Sequence, residues 1–405
     1  MSWIFLWVIL AIAVMVTMLR LRYSIGLSIM CAGLIFWLAA GADFSLWPQA
    51  FMQMVHQPSN WALLAALYLL VCLEIILRRC GLLAATVRAL HKMFHSSRVT
   101  LGFMPAFLGL LPSIGGARFS APIVKEACQG MKISPHRQAA INFWFRHVVE
   151  FCCPLMTTLL LTESLTGCTV SQMIKALWWL TPSAMLIGWV VLLQGLKEPE
   201  SSEQKDTELG QDRRGFLLAV FPVALSMVLI VGFSLSAPLA LLVAVLAILL
   251  LVNLLGHKLS PIKVFGDALE PHLLLNVGCI LLFIEVIKLT GTLQAVTQGL
   301  NALSLPPILL IALLSLVLGV LIGEGQGYIA AIMPIVFGMV GGDIVYVATA
   351  FVCAVAGGML SPAHLCMSIS VEYFRADYLK FWIPIFVMEM MLLALLGLWL
   401  VYRLA

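Results

Sequence analysis

Long apolar stretches fill this chain, and polar residues gather in short clusters between them. Apolar runs fall at 3–19, 23–41, 61–77, 138–162, 176–196, 216–234, 238–256, 272–289, 344–368 and 381–402. A helix of about 17–22 residues crosses a hydrocarbon core of about 30 Å at about 1.5 Å per residue. Two further segments, 100–124 and 306–337, are apolar but interrupted. Pro112-Ser113-Ile114-Gly115-Gly116 divides the first, and Gly323-Glu324-Gly325-Gln326-Gly327 the second. Clusters of glycine and proline interrupt helices. Each arm of about 12 residues reaches about 18 Å, to mid-membrane but not across. A re-entrant helical hairpin is the reading this predicts, with its non-helical tip enclosed by protein or lining a cavity. The fold class expected is an all-α polytopic membrane protein with about ten transmembrane helices plus two re-entrant hairpins.

Charge placement gives the topology. With both termini outside, all of the Lys and Arg residues except Lys175, Lys288, Arg403, Arg118 and Arg146 fall in inside loops, as the positive-inside rule requires. Arg118 and Arg146 fall within or near the membrane. Both flanks of the first broken segment are basic, so both belong on the inner side. Both flanks of the second are almost free of basic residues, which places its entry on the outer side.

The pattern also repeats. The paired runs at 3–41 match those at 216–256. Leu70-Val71-Cys72-Leu73-Glu74-Ile75-Ile76 resembles Leu281-Leu282-Phe283-Ile284-Glu285-Val286-Ile287. Pro122-Ile123-Val124 matches Pro334-Ile335-Val336, and Cys153-Pro154 matches Ser361-Pro362, all at nearly constant separation. The repeats expected are 1–196, with its hairpin near 100–124, and 216–405, with its hairpin near 306–337. An odd number of spans in each makes them inverted. The polar stretch 197–215 between them reads as a cytoplasmic linker.

Composition agrees. Hydrophobic residues make up 62% of the 405 and charged residues 10%, with mean hydropathy +1.07. A soluble domain carries roughly 25% charged residues. The net charge of +4 is small and names no nucleic-acid or other partner beyond the lipid bilayer. The ten cysteines lie mostly in apolar runs without metal-ligand spacing, so they read as packing residues and no metal or other cofactor is expected. The first run lacks a basic leader and a small-residue cleavage site, so it reads as a retained helix. Inverted repeats with broken helices are the signature of secondary transporters.

Asn142-Phe143-Trp144-Phe145-Arg146-His147, followed by Glu150 and Pro154, resembles a signature of a bacterial and archaeal membrane-protein family, number 401 in the domain-of-unknown-function series. Leu111-Pro112-Ser113-Ile114-Gly115-Gly116-Ala117 with Phe119-Ser120-Ala121-Pro122 resembles its first hairpin. Ser361-Pro362-Ala363-His364-Leu365-Cys366 with Glu372-Tyr373-Phe374 resembles its C-terminal motif. The family looks similar to the ion-transporter superfamily of divalent-anion symporters and gluconate and C4-dicarboxylate permeases. That resemblance implies a homodimer in the bacterial inner membrane, with a scaffold part and a moving part. Neither tip carries the Ser-Asn-Thr of sodium-coupled members.

Candidate chemistry sits where the runs are broken. Backbone at Ser113, Ile114, Gly115 and Gly116, and at Gly325, Gln326 and Gly327, can approach a ligand closely; tight helix packing is the other reading. Arg118 and Arg146 suit a carboxylate or phosphate, or else pair with buried acids. Arg146 and Glu150 are four apart on one helix face. His147 and Glu324 are candidate proton carriers, as is Glu150. Ser361 and His364 follow the second break. Pro112, Pro154 and Pro362 remove backbone hydrogen bonds where the helices are broken. Glu285 and Glu74 have Lys288 and Arg78 within a turn, which predicts local ion pairs. The function expected is secondary active transport of a small organic anion coupled to H⁺ or Na⁺. A cation/proton antiporter is the alternative. An intramembrane enzyme using His147 and Glu150 ranks below both, since no nucleophile elbow or nucleotide motif appears.

Overall fold

The computed structural model describes residues 2–82, 85–86, 96–110, 117–196 and 209–404. Among these, all regular secondary structure is helical. Six helices are long and apolar enough to cross a membrane: Pro58–Arg79, Arg214–Gly232, Ala237–Leu254, Pro271–Leu289, Ile344–Phe374 and Tyr378–Leu404, the fifth of them interrupted at Ser361–His364. The bent pair Val170–Leu177 and Leu180–Leu193 makes a seventh if taken as one span. This is an all-α, multi-pass membrane protein.

Several local boundaries differ from the hydropathy pattern. The run at 138–162 is not one helix. It divides into Pro135–His147 and Thr157–Thr166 around an irregular stretch. The stretch 197–215 is linker only in part, because a helix starts at Leu209 and runs to Met227. Leu209 to Arg214 holds no residue that opposes a helix except Gly210, and a polar first turn has no cost in water. Short helices at Leu46–His56, Pro261–Asp267 and Thr292–Asn301 carry too few apolar residues to register as runs.

The chain forms two compact units, each drawing on segments from both halves of the sequence. The first comprises the chain up to Tyr68, Thr157–Thr169 and Glu270–Ala363. Here Ile25–Ala39 packs on Ser2–Arg20 and on Pro271–Leu289. Gly26 makes the second contact possible: its N–H donates to Asn276 Oδ1 at 3.1 Å, and a Cβ there would meet the same oxygen at 2.7 Å. Pro307–Ile322 lies closest to Ile344–Leu360. A Cβ on Gly319 or Gly357 would run into the backbone carbonyl of Ala354 or Leu316. Small residues let membrane helices approach this closely. Glu285 bonds Lys288 at 2.8 Å, the local pair expected.

The second unit comprises Leu69–Met156, Val170–Leu269 and His364–Ala405. Its centre is the Pro135–His147 helix. Ser97–Leu110, Ala117–Ala127, Leu180–Gly188, Leu365–Phe374 and Tyr378–Leu404 all pack on it. Every residue from Ala139 to Val149 is buried. A helix covered on all sides is normally apolar throughout, yet this one holds Asn142, Arg146 and His147.

Candidate functional site

Proline at the first helical position starts the Pro135–His147 helix, where its missing N–H costs nothing. The helix stops at His147, well before Pro154. From Val148 onward the chain makes tight turns, with Glu150 N–H donating to His147 O at 3.0 Å and Cys153 N–H to Val149 O at 3.0 Å. Pro154 donates no hydrogen bond and disfavours helical geometry at Cys153, so no helix restarts before Thr157. Freed carbonyls find side-chain donors: Thr181 Oγ1 donates to Val148 O at 2.9 Å, and Arg146 Nη1 to Leu108 O at 3.3 Å.

The second break supplies the opposing residues. Ile344–Leu360 ends at Ser361, Pro362 follows, and His364 caps the Leu365–Phe374 helix. His364 Nε2 lies 3.2 Å from His147 Nε2. Tautomers follow from bonding logic. His147 Nδ1 is 2.7 Å from the Phe143 carbonyl, which can only accept. Nδ1 therefore carries the hydrogen, and Nε2 of neutral His147 is an acceptor. In a neutral pair, His364 must donate from Nε2. Phe143 walls the pair, its ring 4.7 Å from His147 and 5.2 Å from His364, centroid to centroid.

Acids, a thiol and a guanidinium complete the cluster. Glu150 Oε1 is 3.8 Å from His147 Nε2. Cys366 Sγ lies within 4.8 Å of a ring nitrogen of His147 and of His364 and interacts with Arg146 and Glu150. Arg146 is buried and feels both Cys366 and Glu150. Glu389, from the Tyr378–Leu404 helix, is 2% exposed and close enough to Glu150 for their charges to interact. Its Oε2 has no hydrogen-bond partner. One turn before His147, Asn142 Nδ2 donates to Ser370 Oγ at 2.9 Å and to Ala117 O at 3.3 Å, while its Oδ1 is unsatisfied. Buried polar atoms are nearly always bonded, so each of these orphaned acceptors is suited to a further donor or cation.

The structure thus gathers Arg146, His147, Glu150 and His364 from the residues singled out in the sequence. Pro154 and Pro362 both lie in the non-helical stretches beside them. Pro112, Ser113, Ile114, Gly115 and Gly116 lie outside the described residues. Arg118 falls in the Ala117–Ala127 helix, and its side chain is not among those described.

The remaining candidates belong to the first unit. Pro307–Ile322 ends on Gly323 at φ +71°, a conformation that suits glycine. Glu324 caps Gly325–Val340, accepting from Gly327 N–H at 2.8 Å. That bond gives the carboxylate a local structural task. Gly325 and Gly327 leave no room for a Cβ beside Thr158 and Ile25, at 2.8 and 2.9 Å. Gln326 is half-buried, and Ser361 packs against Gly323.

Cys366, Asn142, Ser370 and Glu389 were not legible as site residues in the sequence. Glu389 could have been found, since it is an acid inside the apolar run 381–402, and such residues carry function by default. Cys366 gives no such signal, because its partner His147 is more than two hundred residues away in the chain.

No curated protein matches the chain in sequence. Among solved structures, the YdaH transporter of Alcanivorax borkumensis is similar, with TM-score 0.61 and 14% identity over 89% of this chain and 90% of that one. Likeness at that identity speaks to the fold. The family described as "Protein of unknown function (DUF401)" matches residues 3–404. The chain belongs to that family.

Proposed function

We propose that this protein is a secondary active transporter of a small organic anion, driven by a proton or sodium gradient. The observation that carries the reading is the buried Arg146 among His147, Glu150 and His364, where two helices are broken inside a membrane protein. Charges in such a place cost several kcal/mol unless paired or used, on the order of 2.5–3.5 on insertion scales. A guanidinium there suits a carboxylate. Support also comes from the fold shared with a protein described as a transporter. The proposal includes the rest of the sequence-based architecture: inverted repeats 1–196 and 216–405, re-entrant hairpins near 100–124 and 306–337, a homodimer in the inner membrane, and both termini outside.

One observation favours the second reading, a cation/proton antiporter. Glu389 is buried close enough to Glu150 for the two acids to interact, with one oxygen unpaired.

Uptake into proteoliposomes separates the two. Labelled succinate and gluconate are offered under an imposed proton or sodium gradient. The anion reading expects gradient-driven accumulation that falls at least tenfold in Arg146→Ala and recovers partly in Arg146→Lys. Cation-driven proton movement without either anion would replace it with the antiporter. Turnover of a substrate in detergent, with no second compartment, would contradict both.

A further inference from the structure

We propose that His147, His364 and Cys366 form a binding site for a transition-metal divalent cation of the zinc class, with Glu150 as fourth ligand.

Their ligand atoms all lie within 4.8 Å of one another. Two imidazole nitrogens bound at about 2.05 Å to one tetrahedral ion stand about 3.3 Å apart, and His147 Nε2 and His364 Nε2 are 3.2 Å apart. The ring centroids are 5.0 Å apart at 81°. A straight N–H···N contact of that length would separate the centroids by about 5.5 Å, whereas two ligands on a tetrahedral ion give about 5.2 Å. The contact is therefore bent rather than straight, which leaves room for an ion beside the line joining the two nitrogens.

The surroundings match a metal site. A ligating histidine usually gives its other N–H to a carbonyl, which fixes the tautomer, and His147 Nδ1 does this to Phe143. Glu150 Oε1 lies 3.8 Å from His147 Nε2, so its side chain would have to move closer to take a fourth vertex. Imidazole plus thiolate selects zinc-class ions over calcium or magnesium, and a carboxylate favours a divalent ion over a monovalent one. The Cys366 thiolate and Glu150 would offset the charge of the ion, and Glu389 is buried close enough to Glu150 for the two to interact. Binding converts His364 to the other tautomer and releases the proton of the Cys366 thiol.

The assignment adds a ligand to the cluster on which the transporter reading rests, so the experiment keeps the two apart. Full-length protein in detergent is titrated with Co²⁺ and with Zn²⁺, and uptake of succinate and gluconate is measured on the same preparation. The expected result is one Zn²⁺ per chain and a tetrahedral Co²⁺ spectrum with a thiolate-to-cobalt charge-transfer band. Zn²⁺ should raise the apparent melting temperature. Cys366→Ser should abolish the charge-transfer band, and His364→Gln should weaken Zn²⁺ binding at least 100-fold, while Cys31→Ser retains both. The wild-type spectrum decides the sulfur ligand even if a variant fails to fold. Sub-stoichiometric binding, a spectrum without the charge-transfer band, or equal affinity in His364→Gln would overturn the site. Metal binding without anion uptake would sink the anion carrier alone, and uptake without metal binding would sink this inference alone.

Discussion

Gly102 and Gly109 lie on one helix, Ser97–Leu110, and the same substitution at each should have opposite effects. Alanine inside a helix is worth about 0.5–1 kcal/mol over glycine. At Gly102 a Cβ meets only side-chain atoms, Leu193 Cδ1 at 3.3 Å and Trp189 Cε3 at 3.6 Å. Those can shift, so the propensity gain survives. At Gly109 a Cβ overlaps the Arg146 carbonyl and sits 3.0 Å from Val149 Cγ2. Backbone at the end of the buried central helix has nowhere to go. Overpacking of this kind costs about 1–3 kcal/mol, which outweighs the propensity gain and leaves a net loss of up to about 2.5 kcal/mol. At about 2–4 °C per kcal/mol, Gly109→Ala should melt several degrees below wild type in detergent, and Gly102→Ala at or above it. Gly109→Ala should also depress any activity that depends on Arg146. An unchanged or raised midpoint in Gly109→Ala, or an equal fall in Gly102→Ala, would refute the packing argument.

Other perturbations give graded outcomes. Ser370→Ala removes a buried partner of Asn142 and should cost about 1–3 kcal/mol, read as a lower midpoint in thermal denaturation. Glu324→Ala removes the helix cap to Gly327 and should cost about 0.5–2 kcal/mol; Glu324→Asn should restore most of it, and transport surviving in that variant would argue for capping alone. Arg79→Ala breaks the exposed pair with Asp267 and should change stability by under about 1 kcal/mol, less still in high salt.

How much was legible in the sequence follows from what each signal measures. Hydropathy reads lipid-length helices, so Ala237–Leu254 and Tyr378–Leu404 were plain. It says nothing of where a buried helix stops: the 138–162 run looks continuous because Val148, Val149, Phe151, Cys152 and Cys153 are apolar, although their backbone turns. The motif around Arg146 and His147 pointed to chemistry because charged residues are rare inside apolar runs. The pairing of His147 with His364 depends on a tertiary contact that no local spacing encodes, and so does the approach of Cys366. A glutamate before Gly325, Gln326 and Gly327 is also an ordinary helix cap, and the bond from Gly327 N–H shows that Glu324 caps, a role the sequence reading did not include.

The most direct test of the central claim is solute counterflow. Proteoliposomes loaded with unlabelled succinate or gluconate are diluted into a trace of the labelled anion, with no gradient of ions. A carrier built around Arg146, His147, Glu150 and His364 exchanges one side's solute for the other's, so label should accumulate transiently above equilibrium and fail to do so in Arg146→Ala. Label that only equilibrates in wild type, or overshoots equally in Arg146→Ala, would contradict the assignment.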